Sequence, residues 1–278
     1  MVLGVNNAFL AAIGRAKAQA SVVCYSHEND AKITLSCNGR IIIRSIVNGE
    51  PTTDIYNDLD NTMVYLSSDA DTKICIYGDV TLFSTNRDDG NSLLYEVNFP
   101  GAKNITYIDL ADNIDITGLD ISNNPNLEHL NINGTGIYGI TIYDNNKLKF
   151  ICINNSDIQY LDFSKLSNLE HLECLNSHIT ALDLSHSTAL EFLECGGAYL
   201  QDIDLSANAA LTTLSIMDGE PLTVIKYAAG NSDVSDAIAQ AITDADSDSG
   251  TVYTDSQGAY YSTIADAATA KGWTIEQL

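Results

Sequence analysis

Two sets of residues in this 278-residue chain have the types and spacing that chemistry could use, and both are acidic. Asp120, Asp162, Asp183 and Asp204 recur in one phase, with Thr141 interrupting the series. On adjacent stacked strands such carboxylates would stand roughly 4.8 Å apart and repel by about 1 kcal/mol in water. A turn amide, a raised pKa or a bound cation must offset that repulsion. A Ser lies two residues after each Asp, as in LDLS, so turn capping by the carboxylate fits better than a row of cations. The second set is DADSDSG, where Asp244, Asp246 and Asp248 alternate and Asp255 is twelfth. A calcium loop needs Gly sixth and Glu twelfth. Here Ser249 is sixth, Gly250 seventh and the last acid is Asp, so a solvated turn is the better reading. Calcium is the one cofactor this loop could hold; no other is expected.

His129, Phe150, His171 and Phe192 alternate in one column, flanked by Asn131, Cys152, Glu173 and Glu194. Two histidines two strands apart, roughly 9–10 Å by stacking, are too distant to share a metal. Aromatic residues are favoured in protein contacts, so His129, Phe150, His171, Phe192, Asn131, Glu173 and Glu194 are interface candidates. The alternative is a surface covered by the flanking regions. No G-x-S-x-G, Walker or G-x-G-x-x-G motif occurs, and the repeat described next already explains His178 and His186 near Cys174 and Asp183. The expectation is a protein that is not an enzyme.

These columns exist because the chain repeats. From Asn126 it reads NLEHLNINGTGIYGITIYDNN, KLKFICINNSDIQYLDFSKLS, NLEHLECLNSHITALDLSHST, ALEFLECGGAYLQDIDLSANA and ALTTLSIMDGEPLTVIKYAAG. Leu127, Leu148, Leu169, Leu190 and Leu211 are each 21 residues apart, and an earlier rung from Asn104 fits with one insertion. Leu130–Ile151–Leu172–Leu193–Leu214, Ile132–Ile153–Cys174–Cys195–Ile216 and Ile140–Leu161–Leu182–Ile203–Val224 keep the same phase. L-x-x-L-x-I is too short for a helix, and its alternation suits a strand buried on one face. Each rung should hold two short extended segments joined by tight turns, and only stacking can bury their leucines.

LEHLECLNSHITALDLSHST resembles the leucine-rich repeats of the BspA-like and internalin-like type, in the short form common in Bacteroidetes surface proteins. The resemblance covers about Asn104 to Tyr227 and implies a solenoid that recognises a macromolecule. That pattern has an inward-turned Asn in its first turn, and Ser177 and Gly197 stand where it is expected. ATAKGWTIEQL resembles the tails that follow such repeats.

The flanks read differently. Residues 1–20 read as an amphipathic helix, with Phe9, Leu10 and Ile13 expected on its apolar face. It is either an anchor on a partner subunit or a helix folded back on its own domain. It lacks the pattern of a signal peptide: no basic residue precedes its apolar part, Asn6 and Asn7 interrupt it, and Arg15 and Lys17 follow. The expectation is a chain not exported by the standard route. LGVNNAFLAAIGRAKAQ resembles the start of some phage head and tail proteins. Residues 21–103 alternate as strands with turn breaks, either a small antiparallel domain or irregular capping rungs. Residues 104–227 are the six-rung solenoid. Residues 228–278 are an α/β cap, with helices over Ser232–Thr243 and Tyr260–Lys271 and strands over Thr251–Tyr253 and Trp273–Ile275. The fold class is mainly β with α caps.

Charge and cysteine content bound the partners. Thirteen Lys and Arg against 37 Asp and Glu give −24, which argues against nucleic acid and anionic lipid and for a cationic or uncharged partner. No run reaches the roughly 18–20 apolar residues of a membrane helix. The six cysteines include no C-x-x-C pair, and Cys174 and Cys195 should be buried thiols in the core. The expected function is a non-enzymatic, protein-binding structural subunit that could self-associate. The first placement is a phage virion, as a decoration, fibre or tail-associated protein among other virion subunits. The alternatives are a bacterial cell-surface adhesin facing a host receptor or glycan, and a host-protein-binding effector.

Overall fold

A rung of 21 residues cannot bury its leucines alone, and in the computed structural model it does so by lying on the next rung in register. The structure describes residues 20–26, 31–48, 50–66, 73–85, 93–196, 199–216, 224–227, 232–244, 250–254 and 261–277. The helix expected over residues 1–20, with Phe9, Leu10 and Ile13, lies outside the described residues except for Ala20.

The first strands among the described residues are β1 (Val22–Ser26), β2 (Ala31–Val47), β3 (Glu50–Asn57), β4 (Thr62–Leu66), β5 (Lys73–Ser84) and β6 (Leu94–Asn98). β1 lies antiparallel between β5 and β6, while β2 pairs antiparallel with β3, β4 and β5. The alternating burial of VVCYS in β1 shows why: every second residue enters the core. The β2–β5 register shifts twice, between Ser36 and Cys37 and between Asn38 and Ile42. Gly78 sits opposite the second shift with φ +126°, and a Cβ there would lie 2.6 Å from the Arg40 carbonyl oxygen. Only glycine allows that approach.

The rungs follow as β7 (Tyr107–Asp109) with β8 (Leu119–Asp120), β9 (His129–Asn131) with β10 (Ile140–Thr141), β11 (Phe150–Cys152), β12 (His171–Leu175), β13 (Phe192–Gly196) with β14 (Asp202–Asp204), and β15 (Thr213–Ser215) with β16 (Val224–Tyr227). The first strands pair in parallel, each residue against its equivalent one rung on: Ile151 faces Leu130 and Leu172, and Leu193 faces Leu172 and Leu214. β5 joins the same ladder, with Leu82, Phe83 and Ser84 parallel to Tyr107, Ile108 and Asp109. One 12-stranded mixed sheet therefore runs from the antiparallel strands through every rung. The residues 21–103 and 104–227 share this sheet without a seam.

Second strands are less regular than the alternation suggests. β8 pairs with β10, and β14 with β16, but Leu161–Phe163 and Leu182–Leu184 form no strand although Leu161, Phe163, Leu182 and Leu184 are buried. Side chains hold these turns. Asn124, Asn145 and Asn208 are buried, and each donates from Nδ2 to two backbone carbonyls of the preceding rung, as Asn145 does to Ile121 (3.1 Å) and Asn124 (2.8 Å). In the first turn, Thr135, Ser156 and Ser177 donate to the carbonyl three residues back, at 2.7–2.8 Å. Gly197 lies outside the described residues.

The C-terminal residues form α1 (Ser232–Asp244), β17 (Thr251–Thr254), α2 (Tyr261–Lys271) and β18 (Thr274–Gln277). β17 and β18 extend the second-strand sheet in parallel, in the order β14-β16-β17-β18. Trp273 is buried beneath Gly250, where a Cβ would meet its ring at 2.7 Å.

Leu172 is fully buried with a leucine or isoleucine on each side. Leu172→Ala should lower the unfolding free energy by about 2–5 kcal/mol. Leu172→Asp should cost more, because an unpaired carboxylate would be buried between rungs. Urea denaturation followed by circular dichroism measures both; a loss under about 1 kcal/mol for the Asp variant would show that this column is not core.

Candidate functional site

The parallel first strands present alternate residues outward, and in-register pairing lines those residues up in columns. Equivalent positions carry rings on five consecutive strands, and the rings stack: Tyr107 on His129 (4.0 Å between centroids, 8° between planes), His129 on Phe150 (4.2 Å, 7°), Phe150 on His171 (4.6 Å, 21°), and His171 on Phe192 (4.0 Å, 1°). The rings stand closer than the roughly 4.8 Å between strands, so they converge above the sheet. His129, Phe150, His171 and Phe192, expected separately as interface residues, are thus one object. Tyr107 belongs to it and was not legible, because one inserted residue puts it 22 positions before His129.

Polar neighbours brace the column. His171 Nε2 donates to Glu173 Oε1 at 2.7 Å, and the other Glu173 oxygen accepts from the Cys152 thiol (3.2 Å) and Asn154 Nδ2 (3.1 Å). Asn154 Oδ1 in turn accepts from the Leu175 amide at 2.7 Å. Glu173 is therefore a hub that ties two adjacent rungs together, in addition to being a part-exposed carboxylate on this face. Glu194 accepts from Ser215 Oγ at 3.4 Å, and Asn131 Oδ1 accepts from the Asn133 amide at 3.1 Å. Asn131 shapes its own turn and offers less to a partner than its position suggests. Exposed Glu128, Lys149, Glu170 and Glu191 border the rings on the other flank, with Lys149 4.0 Å from Glu128.

The electrostatics follow from partial burial. Desolvation, then His171 two strands away, depress the His129 pKa to about 4, against an opposing pull from Glu173. Burial raises the Asp109 carboxyl and, with Asp109 beside it, the Tyr107 hydroxyl. Burial pushes the thiols of Cys152 and Cys195 up to about 12, and that of Cys174 well above its ordinary value. Cys174 and Cys195 are opposite each other in register, buried and free, and protonated thiols of this kind are poor nucleophiles.

The aspartate column resolves as turn capping. Asp120, Asp162, Asp183 and Asp204 each accept, through Oδ1, from the amide of the Ser two residues on, at 2.9–3.1 Å. Those serine contacts hold the carboxyls of Asp120, Asp162 and Asp183 below their ordinary range. The negative charge is met by turn amides. Of the DADSDSG loop only Asp244 is described, among the four acids; it ends α1 and accepts from Gln240 Nε2 at 2.7 Å. Asp246, Asp248 and Asp255 lie outside the described residues. Among the described residues no group of three or more His, Cys, Asp and Glu has metal-binding geometry, and no helix is long and apolar enough to cross a membrane.

A second exposed aromatic group was missed from the sequence. Tyr138, Tyr143, Tyr160 and Tyr199 lie on the turns between first and second segments or just beyond, 47–70 % exposed. Tyr199 stacks on His178 at 5.1 Å and, with Thr180, Gln201, Asp202 and Val224, lines an open hollow of ~330 Å³. Tyr138 and Tyr160 are 22 residues apart, out of phase with the repeat, so no column announces them.

No family model matches the chain, and no curated protein matches it. Among solved structures it is similar to the functional domain of InlJ from Listeria monocytogenes, which is described as including a cysteine ladder. Identity is 18 %, the TM-score is 0.33, and the match covers 55 % of this chain and 47 % of that one. This chain thus spans about half of that structure's length, and a superposition this loose assigns neither family nor function.

Protonating His129 favours the unfolded chain, because its folded pKa of about 4 lies below the ordinary 6.5. Its contribution is intact above pH 6.5 and is lost as pH falls toward 4. His129→Phe, which puts in this column the residue already present at Phe150 and Phe192, should flatten the fall in denaturation midpoint across that window. Identical pH profiles for the two proteins would contradict the stacked, desolvated placement of His129.

Proposed function

We propose that the chain is a leucine-rich-repeat solenoid that binds another protein and carries out no chemistry, with the ring-bearing face of its parallel sheet as the docking surface. The carrying observation is the five-ring column, half-buried and stacked, standing in line on the outward face of a continuous sheet. Stacked rings give a large contact surface whose order is set before binding, and pre-ordered aromatic surface is what protein interfaces favour. Reactive roles are disfavoured by the same geometry. Glu173 is committed to His171, Cys152 and Asn154, and the aspartate column is committed to turn amides.

Display on a bacterial cell surface or on a virion both suit such a module. The virion placement rests on the likeness of residues 3–19, which lie outside the described residues. Portal, capsid or tail genes beside this one would support the virion; secretion or lipoprotein genes would overturn it in favour of the cell surface.

The docking face is tested by site-specific photocrosslinking. A photoreactive residue in place of Lys149, beside the rings, should capture a protein from the source organism or its host. The same residue in place of Asp144, exposed on the second turn, should not. Capture at Lys149 should also disappear in a Phe150→Ala variant that keeps its fold. Equal capture at both positions, or capture that survives the Phe150 substitution, would overturn the reading.

A further inference from the structure

The ring column has two ends, and they differ. His129, Phe150 and His171 each have a ring on both faces, so they offer only edges to a partner. Tyr107 faces His129 on one side and, in the next strand, Leu82 on the other. Phe192 faces His171 on one side, while its register partner on the other is Thr213, an exposed residue without a ring. Among the described residues no ring stacks on that second face of Phe192. The negative face of an aromatic ring attracts a guanidinium or ammonium.

The flanks of Phe192 carry charges of the sign such a cation needs. Glu191 precedes it, exposed, and Glu194 follows on the same face of β13, half-buried. Among the described residues, the side chains bordering the column include Glu128, Glu170, Glu173, Glu191 and Glu194 against a single cation, Lys149, which already lies beside Glu128. The five rings, in steps of 4.0–4.6 Å, span about the length of five extended residues.

We propose that the partner of this face is a basic protein segment, with one Arg or Lys side chain seated over the short Thr213 side chain against the ring-free side of Phe192, between Glu191 and Glu194, and further cations along the glutamate flanks. This rests on the reading of the ring-bearing face as the docking surface and adds the chemistry of the occupant. Charge complementarity selects it: an acidic partner would bring carboxylates against five glutamates, and an uncharged one would leave those glutamates under-solvated at the contact.

The probe is a fluorescein-labelled peptide of alternating Arg and Gly, nine residues long, titrated with the full chain at low salt and read by anisotropy. The full chain should bind it, and raised salt should weaken binding. Glu191→Gln with Glu194→Gln should weaken it by about five-fold or more. Phe192→Leu, which keeps charge and apolar bulk but removes the ring face, should weaken it by about three-fold. Asp144→Asn with Asp236→Asn removes the same charge from exposed positions off this face, and should change binding by less than about two-fold. Unchanged thermal melts would show that each variant is folded. The proposal is overturned by no binding, by equal effects of the two charge-removing pairs, or by an unaffected Phe192→Leu variant. Capture of a partner at residue 149 together with any of those results would leave the docking face standing and discard the basic occupant alone. Loss of both would discard the docking face as well.

Discussion

Everything in this molecule depends on parallel pairing that places each residue directly beside its equivalent in the next rung. Backbone hydrogen bonds fix that register, as where the Glu170 amide donates to the Lys149 carbonyl and the Glu191 amide to the Glu170 carbonyl, both at 2.9 Å. Because side chains alternate across a strand, a one-residue slip would expose every leucine and bury every ring. The buried columns are therefore both the stabilising core and the device that aligns the outward columns. Apolar burial drives the stacking; the chemistry on the surface is inherited from it.

The same constraint explains how polar groups survive inside. A stacked turn leaves carbonyls facing the rung behind, and a buried carbonyl without a donor is costly. Asn124, Asn145 and Asn208 supply two donors each, while hydroxyls at Thr135, Ser156 and Ser177 close the first turn. At the junction with the antiparallel strands, Asn113 does more. Its Oδ1 accepts from the amides of Leu93 and Leu94, and its Nδ2 donates to Leu110, Ala111 and Thr85. One buried side chain thereby locks β6 and the first rung together.

Much of this was readable in the residues, and the limits have physical causes. The columns of leucine and isoleucine follow from period alone, since each position repeats one environment. The turn role of the aspartates was readable because a Ser stands two residues after each. Stacking of His on Phe was not, because alternation shows which residues share a face but not how near their rings come. Tyr107 was hidden by the inserted residue that shifts its rung. The shared sheet was hidden for another reason: one edge of β5 pairs antiparallel with β1 at Lys73–Ile76 and parallel with β7 at Leu82–Ser84, and no local pattern marks where that edge changes partners. Asn124, Asn145 and Asn208 could have been found, because they occupy one 21-residue phase with Leu166 and Ser187 between them.

The surface follows from the register, so the register is what most needs a direct measurement. Glu170 and Glu191 are exposed and one rung apart, whereas Glu170 and Thr212 are two rungs apart. Two cysteines bridge only when their Cα atoms lie within about 7 Å, which adjacent strands satisfy and strands two apart do not. Glu170→Cys with Glu191→Cys should therefore oxidise to an intramolecular disulfide, identified by peptide mass, while Glu170→Cys with Thr212→Cys should remain reduced under the same conditions. A reduced first pair, or a bridge in the second, would contradict the in-register ladder on which the account stands.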